Sequence, residues 1–337
     1  MKTRTLFFVE PYKAEIREGS LRAPAENEVL VETICSAISA GTEMLVYHGR
    51  FPRGIEIDSV ITPFRGSFEY PLAYGYACVG VIKETGRKVD KSWRDKMVFA
   101  FQPHTSHFVA TPDSLLPIPE GFTPETACFL PNMETAVNLV QDAAPILGEQ
   151  ALAFGQGIVG LLTAALLMEF PLASLITCDC YPLRREASLS LGVSASLDPN
   201  ASDFREQVRK NLPSGADLSL ELSGAPTALN DAIALTGFGG RVVIGSWYGQ
   251  KKAELDLGGD FHRSRIKLIA SQVSTISSEL SARWDKTRRF KVTWDALERI
   301  QPQKWITHRF PMGQADKAYD MLDKQPEEAI QILFVYQ

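Results

Sequence analysis

Ala151-Leu152-Ala153-Phe154 runs into Gly155-Gln156-Gly157-Ile158-Val159-Gly160, then an apolar helical pattern to Phe170, then Leu175-Ile176-Thr177-Cys178 ending on Asp179. The order is strand, glycine turn, helix, strand, acid. Glycines at this spacing mean little alone. Here they follow an apolar strand and open a helix, and an acid stands nineteen residues past the third glycine. In that context they read as a dinucleotide-binding turn. Gly155 allows the tight turn, Gly157 lets a pyrophosphate approach the backbone, and Gly160 lets the helix pack on the sheet. The N–H groups and positive dipole end of the helix then face the phosphates, with Gln156, Ile158 and Val159 completing the cradle. The plain alternative is a buried strand–helix–strand unit whose glycines serve packing only.

Asp179 bears on which dinucleotide binds. A carboxylate at the end of the second strand accepts hydrogen bonds from the ribose hydroxyls of NAD. A 2′-phosphate there would meet repulsion of roughly 4 kcal/mol per charge pair at about 4 Å and an effective dielectric of about 20. NAD is therefore expected over NADP. Arg184 and Arg185 complicate the choice, because an arginine near this position can accept a 2′-phosphate. Both also read as solvated charge, and Arg184 could equally lie over the adenine.

The chain has 337 residues, 45% of them apolar and 22% charged, with a net charge of −5. That length suggests two domains, and the composition is that of an ordinary globular protein. No long basic run is present, which argues against nucleic acid or an anionic membrane as partner. Met1-Lys2-Thr3-Arg4 leads straight into a strand-like Leu6-Phe7-Phe8-Val9, so no signal peptide is expected. Glu169 and Pro171 interrupt the apolar span from Gly157 to Thr177, which reads better as helix plus strand than as a membrane crossing. Cys35, Cys78, Cys128, Cys178 and Cys180 form no disulfide framework and suggest a reduced, cytoplasmic protein. Cys178 and Cys180 are expected on one face of a strand, as core.

Taken in order, residues 1 to about 120 read as β-rich, with strands at Val29–Cys35, Val79–Ile82, Met97–Phe101 and His107–Ala110. Short strands with turn punctuation suggest a small barrel-like domain. Glu125 to Ala144 reads as helical, interrupted by Pro131. Beyond Asp179, helices Leu183–Leu191, Asp203–Asn211 and Pro226–Leu235 alternate with strands Ser194–Leu197, Asp217–Glu221, Arg241–Gly245 and Ile266–Val273. With the opening pair these make six strands, enough for two mononucleotide-binding halves. Past Ser277 the chain turns polar and helical. It then runs through Trp305–Phe310, a helix Gly313–Lys324 and a terminal strand Ile330–Tyr336. That tail has no place in a six-strand sheet and is expected to return to the first domain.

A β-rich first domain, a central Rossmann domain and a returning tail resemble the medium-chain dehydrogenase/reductase superfamily. The landmarks are Gly41-Thr42-Glu43, Pro71 with Gly75, Val79-Gly80-Val81, Met97-Val98-Phe99, Gly148-Glu149-Gln150, Ser223-Gly224-Ala225-Pro226 and Ile306-Thr307-His308-Arg309. Gly245-Ser246-Trp247-Tyr248-Gly249, Phe261-His262-Arg263-Ser264-Arg265, Ala270-Ser271-Gln272-Val273 and His48-Gly49-Arg50-Phe51-Pro52 look like the branch that includes hydroxyethyl bacteriochlorophyllide dehydrogenase. The resemblance implies an α/β fold: a doubly wound parallel Rossmann sheet at 134–276, plus a discontinuous β-rich GroES-like domain at 1–133 and 277–337. It also implies a homodimer, with the edge strand Ile266–Ser274 as a candidate interface. Zinc-dependent members carry a cysteine, a histidine and a third ligand where this chain has Ala40, Tyr76 and Pro131. Catalytic zinc needs three such ligands, so a zinc-free enzyme is expected. No cysteine lies between Cys78 and Cys128, so the structural zinc lobe is missing too. His104 and His107 read as a surface turn and a strand residue, without a third ligand for a metal.

Hydride transfer needs the nicotinamide beside a substrate carbon and a group that handles a proton. The carboxyl ends of the Rossmann strands place Ser223, Gly224, Ser246, Trp247, Tyr248, Ser271 and Gln272 near the nicotinamide. The opposite wall of the expected cleft carries Thr42, Glu43, Tyr47, His48 and Tyr76. Tyr76 stands where a zinc-ligating histidine would be; it is either a catalytic hydroxyl or a cavity filler. Glu134 is either a cleft acid or a helix-surface acid. The segment from Gly49 to Gly75 carries Arg50, Arg53 and Arg65 with Phe51, Phe64, Phe68, Tyr70 and Tyr74. Either these wall a roomy pocket for a bulky or anionic alcohol or ketone, or the aromatics pack back on the barrel. The expected activity is NAD-linked oxidoreduction of a small-molecule alcohol or ketone. A zinc-free enoyl or quinone reductase and a catalytically silent dinucleotide-binding protein are the alternatives.

Overall fold

The computed structural model describes residues 1–52 and 68–336. The chain divides into two compact units, Met1–Pro131 with Gln301–Gln337, and Asn132–Ile300.

The first unit is organised on the strand Val29–Ala37. It reads Val-Leu-Val-Glu-Thr-Ile-Cys-Ser-Ala and is buried along most of its length. Such a nearly continuous apolar run suits a strand covered on both faces. One edge pairs antiparallel with Cys78–Thr85. The other edge is shared: His107–Ala110 lies against Val29–Glu32, and Gln331–Val335 lies against Cys35–Ala37. Ile306–Pro311 then pairs parallel with that last strand. The carboxyl-terminal tail thus supplies two strands to the first unit's sheet. A smaller ribbon joins Lys2–Glu10 to Lys13–Ser20 and to Leu72–Ala73. Leu6, Phe8, Val46, Tyr47, Tyr319 and Phe334 pack in one core, which Phe51, Phe68 and Tyr74 also join.

The second unit is a six-stranded parallel sheet among the described residues. Its spatial order is Ala195–Leu197, Ser174–Cys178, Gln150–Phe154, Ala216–Glu221, Thr236–Ile244, Lys267–Ala270. Numbered by sequence that is 3-2-1-4-5-6, the doubly wound Rossmann order. The register sets Cys178 beside Phe154, Phe154 beside Glu221, Glu221 beside Ile244, and Ile244 beside Ala270. Leu197 lies beside Cys178 as well, so all six strands end level. The segments that follow them emerge along one edge, where ligands of such sheets bind.

Three local readings change. Pro131 does not break a helix; it lies in the first turn of Leu130–Ala143, where a missing N–H costs nothing, and a separate short helix Pro124–Ala127 precedes it. Cys178 ends its strand and is buried, whereas Cys180 lies past the strand and is exposed, so the two share no face. The second unit runs on to Ile300 rather than closing near Ser277, because helix Lys286–Ile300 packs within it. Among the described residues no helix is long and apolar enough to cross a membrane.

One ion pair ties this second unit together at the opposite end of the strands. Arg241 donates to both oxygens of Glu149 at 2.7 and 2.8 Å, and to the carbonyls of Ala143 and Ala144 at 2.7 and 3.1 Å. It thereby holds the carboxyl end of helix Leu130–Ala143 against the sheet. The hydrogen-bonded guanidinium holds the Glu149 carboxyl below its ordinary value. A depressed carboxyl stabilises the fold above its unfolded pKa, and that contribution fades as pH falls through the folded one. Arg241→Met should cost about 2 kcal/mol in urea denaturation at neutral pH. The gap to the parent protein should narrow in acid; a gap independent of pH would count against the Glu149 contribution.

Candidate functional site

The glycine turn starts where strand Gln150–Phe154 ends. Gly155 has φ +87°, and a Cβ there would lie 2.5 Å from Ser223 Cα. Gly160 sits in the first turn of helix Ile158–Leu167, and a Cβ there would lie 1.9 Å from the Gly155 carbonyl oxygen. Both positions exclude any larger residue. Gly157 differs: the nearest group to a Cβ would be Arg184 Nη1, at 4.0 Å. The first intrahelical bond runs from Leu161 N–H to the Gly157 carbonyl, at 2.9 Å. The N–H groups of Ile158, Val159 and Gly160 have no helical carbonyl behind them. Backbone donors and open space in front of Gly157 fit a pyrophosphate. The Gln156 side chain does not face that space. It is fully buried, donates to the Gly155 carbonyl at 2.9 Å and accepts from Ser188 Oγ at 3.2 Å.

Asp179 follows strand Ser174–Cys178 and is buried beside the turn. Its Oδ2 accepts from Gln156 N–H at 2.7 Å and its Oδ1 from Tyr181 N–H at 2.9 Å. Each carboxylate oxygen has a second lone pair, so capacity for ribose hydroxyls remains. The acid does two jobs in this geometry, shaping the loop and presenting charge at the strand end. Arg184 lies over the Tyr181 ring, its guanidinium carbon 4.7 Å from the centroid. Arg185 is not simply solvated: it donates to the Asp179 and Cys180 carbonyls at 2.8 and 2.9 Å and pairs with Asp198 at 3.3 Å.

The next two level strand ends are joined by a residue that sequence reading missed. Glu221 is fully buried at the end of its strand. Its Oε1 accepts from Ser223 N–H at 2.8 Å and from Ser223 Oγ; its Oε2 accepts from Tyr248 Oη at 2.5 Å. Burial, and then the bond to Glu221, push the Tyr248 hydroxyl far up, so it stays protonated. Ser246 Oγ accepts from Gly224 N–H at 2.9 Å, and Lys251 Nζ donates to the Gly224 carbonyl at 2.8 Å. Ser223, Gly224, Ser246 and Tyr248 thus form one bonded group, with Trp247 exposed beside them. The available signal was an acid closing an apolar strand just before Ser223-Gly224.

In the first unit, Gly41, Thr42 and Glu43 lie in the opening of a helix, Ala40–Tyr47, that sequence reading left without an element. Glu43 is fully buried and reaches back to cap it, accepting from Ser39 N–H at 2.7 Å. Its other oxygen accepts from Tyr319 Oη at 2.5 Å and lies 3.0 Å from His104 Nε2. His104 Nδ1 is 2.6 Å from Ser36 Oγ, which is 2.7 Å from Tyr336 Oη. His104 is therefore fully buried, not at a surface turn. Tyr76 Oη donates to Ser39 Oγ and lies 3.3 Å from Thr42 Oγ1. Burial pushes its hydroxyl up to about 12, so it is protonated across the physiological range. The structure brings Thr42, Glu43 and Tyr76 into one network.

Glu134 belongs to the second unit. It is buried, not on a helix surface, and its Oε1 accepts from Lys286 Nζ at 2.8 Å and from Arg289 Nε and Nη2 at 2.9 and 2.8 Å. Tyr47, expected on a cleft wall, is core and stacks on Tyr319 with ring centroids 5.6 Å apart. His48 Nε2 is 2.6 Å from Asp323 Oδ1. Phe51, Phe68 and Tyr74 pack inward, and Tyr70 donates its hydroxyl to the Val46 carbonyl. Arg53, Phe64 and Arg65 lie outside the described residues. Among the described residues no group of three or more His, Cys, Asp or Glu is placed to hold a metal ion. Ala40 and Pro131 offer no side-chain donor, so this set does not fit a catalytic zinc.

Residues 159–289 match the zinc-binding dehydrogenase family. The chain is 26% identical over 343 residues to L-galactonate-5-dehydrogenase of Escherichia coli K12, covering 92% of each chain. A short chain alcohol dehydrogenase from E. coli CFT073, solved with NADH, superposes with a TM-score of 0.79 at 17% identity, covering 99% of both chains. A dehydrogenase from Sinorhizobium meliloti 1021, solved bound to NADP, gives a TM-score of 0.74 at 18% identity, again over 99% of both. At such identities the structural likeness speaks for the fold. The chain is thus similar to the zinc-binding dehydrogenases over residues 159–289 and shares the fold of these two solved dehydrogenases, and the protein is an oxidoreductase of the alcohol-dehydrogenase type.

Proposed function

We propose that the protein is a zinc-independent, NAD-linked oxidoreductase interconverting a bulky or anionic secondary alcohol and its ketone. The observation that carries the reading is the turn at Gly155–Gly160, where open space at Gly157 faces helix-start N–H donors. A nicotinamide dinucleotide bound there supplies or accepts the hydride. Asp179 favours NAD, since a 2′-phosphate would meet its carboxylate. Arg185, a possible counter-charge for that phosphate, is already committed to two carbonyls and Asp198. The acid-sugar name of the full-length relative supports an anionic polyol as substrate.

Tyr76 is the proposed proton donor. Its hydroxyl is protonated and oriented by Ser39 and Thr42. When a ketone binds, the single hydroxyl hydrogen turns from Ser39 Oγ to the ketone oxygen and is given up as hydride reaches the carbonyl carbon; the C=O becomes HC–OH, and the Ser39 and Thr42 hydroxyls then donate to the phenolate until it takes a proton back from solvent. Glu43 acts through Ser39, whose N–H it holds, and so positions this group without touching substrate. Glu134 is likewise a clamp, since its bonded oxygen is shared by Lys286 and Arg289. The resemblance further supports a homodimer, and the five free cysteines support a cytoplasmic setting.

The two glycines should part company under substitution. Gly157→Ala should keep the parent stability and weaken NADH binding about tenfold or more, a loss of about 1.4 kcal/mol. Gly160→Ala should destabilise the fold itself by several kcal/mol, because its Cβ meets backbone. Equal NADH affinity in Gly157→Ala would argue that the turn serves packing alone.

Titration should show tighter binding of NADH than NADPH, and Asp179→Ala should narrow the gap. Tighter NADPH binding in the parent protein would overturn the NAD assignment.

In a nicotinamide-absorbance assay over alcohols, ketones and enones, acidic or ring-bearing secondary alcohols and their ketones should turn over best. Tyr76→Phe should cut kcat about a hundredfold or more with NADH affinity unchanged. Elemental analysis should find no stoichiometric zinc; zinc that a chelator removes along with activity would refute the zinc-free reading.

A further inference from the structure

Arg289 is fully buried, a rare state for arginine, and its side-chain hydrogen bonds link its own helix to two other pieces of the second unit. It lies on helix Lys286–Ile300. Nε and Nη2 bind Glu134 Oε1 at 2.9 and 2.8 Å, and Nη1 binds Asn138 Oδ1 at 2.6 Å, both on helix Leu130–Ala143. Nη1 also donates to the Thr275 carbonyl at 3.1 Å, and Nη2 to the Val273 carbonyl. Lys286 Nζ adds a bond to the same Val273 carbonyl at 2.8 Å. Asn138 then turns its amide the other way, donating to Ser271 Oγ at 2.9 Å. Ser271 Oγ donates in turn to Asp142 Oδ2 at 2.6 Å.

The bonds to Thr275, Val273 and Ser271 all end on one short piece of chain, Ser271 to Thr275. It follows Ala270, the carboxyl end of the sixth strand, which the register sets beside Ile244. Ser246, Trp247 and Tyr248 leave that neighbouring strand on the same edge. The adenine half of a dinucleotide lies on the other side of the glycine turn, beside Asp179. Strand order therefore separates the two ends of the ligand, and Ser271–Thr275 stands at the nicotinamide end. A loop there, left to itself, would be the most mobile part of the cradle. Here two backbone carbonyls and one side chain are held from behind by a desolvated cation whose own counter-charge, Glu134, is rigid on a helix.

We infer that Arg289 is a positioning residue for the cofactor's nicotinamide end, holding Ser271–Thr275 in place through Val273, Thr275 and the Asn138–Ser271 bridge. It touches neither cofactor nor substrate in this role. The inference rests on the dinucleotide reading above and assigns Lys286 and Glu134 as its supports.

ADP-ribose carries the adenine half and pyrophosphate without nicotinamide, so it separates local positioning from general damage. Calorimetric titration of the full chain with NADH and with ADP-ribose should be compared for the parent, Arg289→Lys and Asn138→Ala. Arg289→Lys keeps the charge beside Glu134 but loses the fork. Asn138→Ala leaves the ion pair with Glu134 whole and removes the bridge from Arg289 Nη1 to Ser271. Both should weaken NADH, Arg289→Lys by about tenfold and Asn138→Ala by about threefold, with ADP-ribose within about twofold of the parent. Parent-like NADH affinity in both variants would overturn the inference, and so would an equal loss of NADH and ADP-ribose. A parent protein that binds neither probe would instead overturn the dinucleotide reading beneath it.

Discussion

A Cβ on Gly160 would lie 1.9 Å from the Gly155 carbonyl oxygen, and the second unit is arranged around that absence. Because the helix start can lie directly against the turn, its N–H groups point out of the sheet's carboxyl edge. Because six strands end level there, Asp179, Glu221, Ser246 and Ser271 are delivered to the same edge. One close approach of backbone to backbone sets where the unit can hold a ligand. Buried polar groups then fix the loops that leave the edge: Asp179 ties down the glycine turn, Glu221 joins Ser223 to Tyr248, and Arg289 holds the last loop.

The first unit uses the same device with a different hub. Glu43 accepts from Ser39 and Tyr319 and faces His104, so a helix start, a loop and the carboxyl-terminal helix meet on one buried carboxylate. A buried acid is costly unless its lone pairs are filled. Here they are filled by groups far apart in the chain, so the hub is satisfied only when the tail has returned. That couples the setting of Ser39, and through it Tyr76, to completion of the sheet by Gln331–Val335. Glu43 and Glu134, the two candidate cleft acids, are both held in buried networks of this kind. Both serve as anchors, which leaves the partly buried hydroxyls of Tyr76 and Thr42 as the proposed catalytic groups.

Much of this architecture is legible in the chain alone where the signal is local. The strand, glycines, helix and acid of 151–179 are contiguous, and their spacing is dictated by turn sterics and by the length of one crossover. Alternating strands and helices then predict the six-strand order, since right-handed crossovers leave few choices. Pro131 and Cys180 mark the limits of such reading. A proline looks like a break until the helix start is located, and a residue two places past the end of a strand no longer keeps that strand's face.

Alone, then, the sequence determined the dinucleotide-type sheet, the returning tail and the lack of donor side chains at Ala40 and Pro131, because each is a property of residue type or near-neighbour spacing. Only the tertiary structure decided that His104 is buried on Glu43, that Phe51, Phe68 and Tyr74 are core, and that Glu134 pairs with Arg289. Those pairs lie 61 and 155 residues apart. A carboxylate, a histidine or an aromatic reads the same in sequence whether it faces solvent, ligand or core. Its role is set by which distant groups desolvate it and fill its hydrogen bonds, and that is settled only when the strands pair and the helices pack.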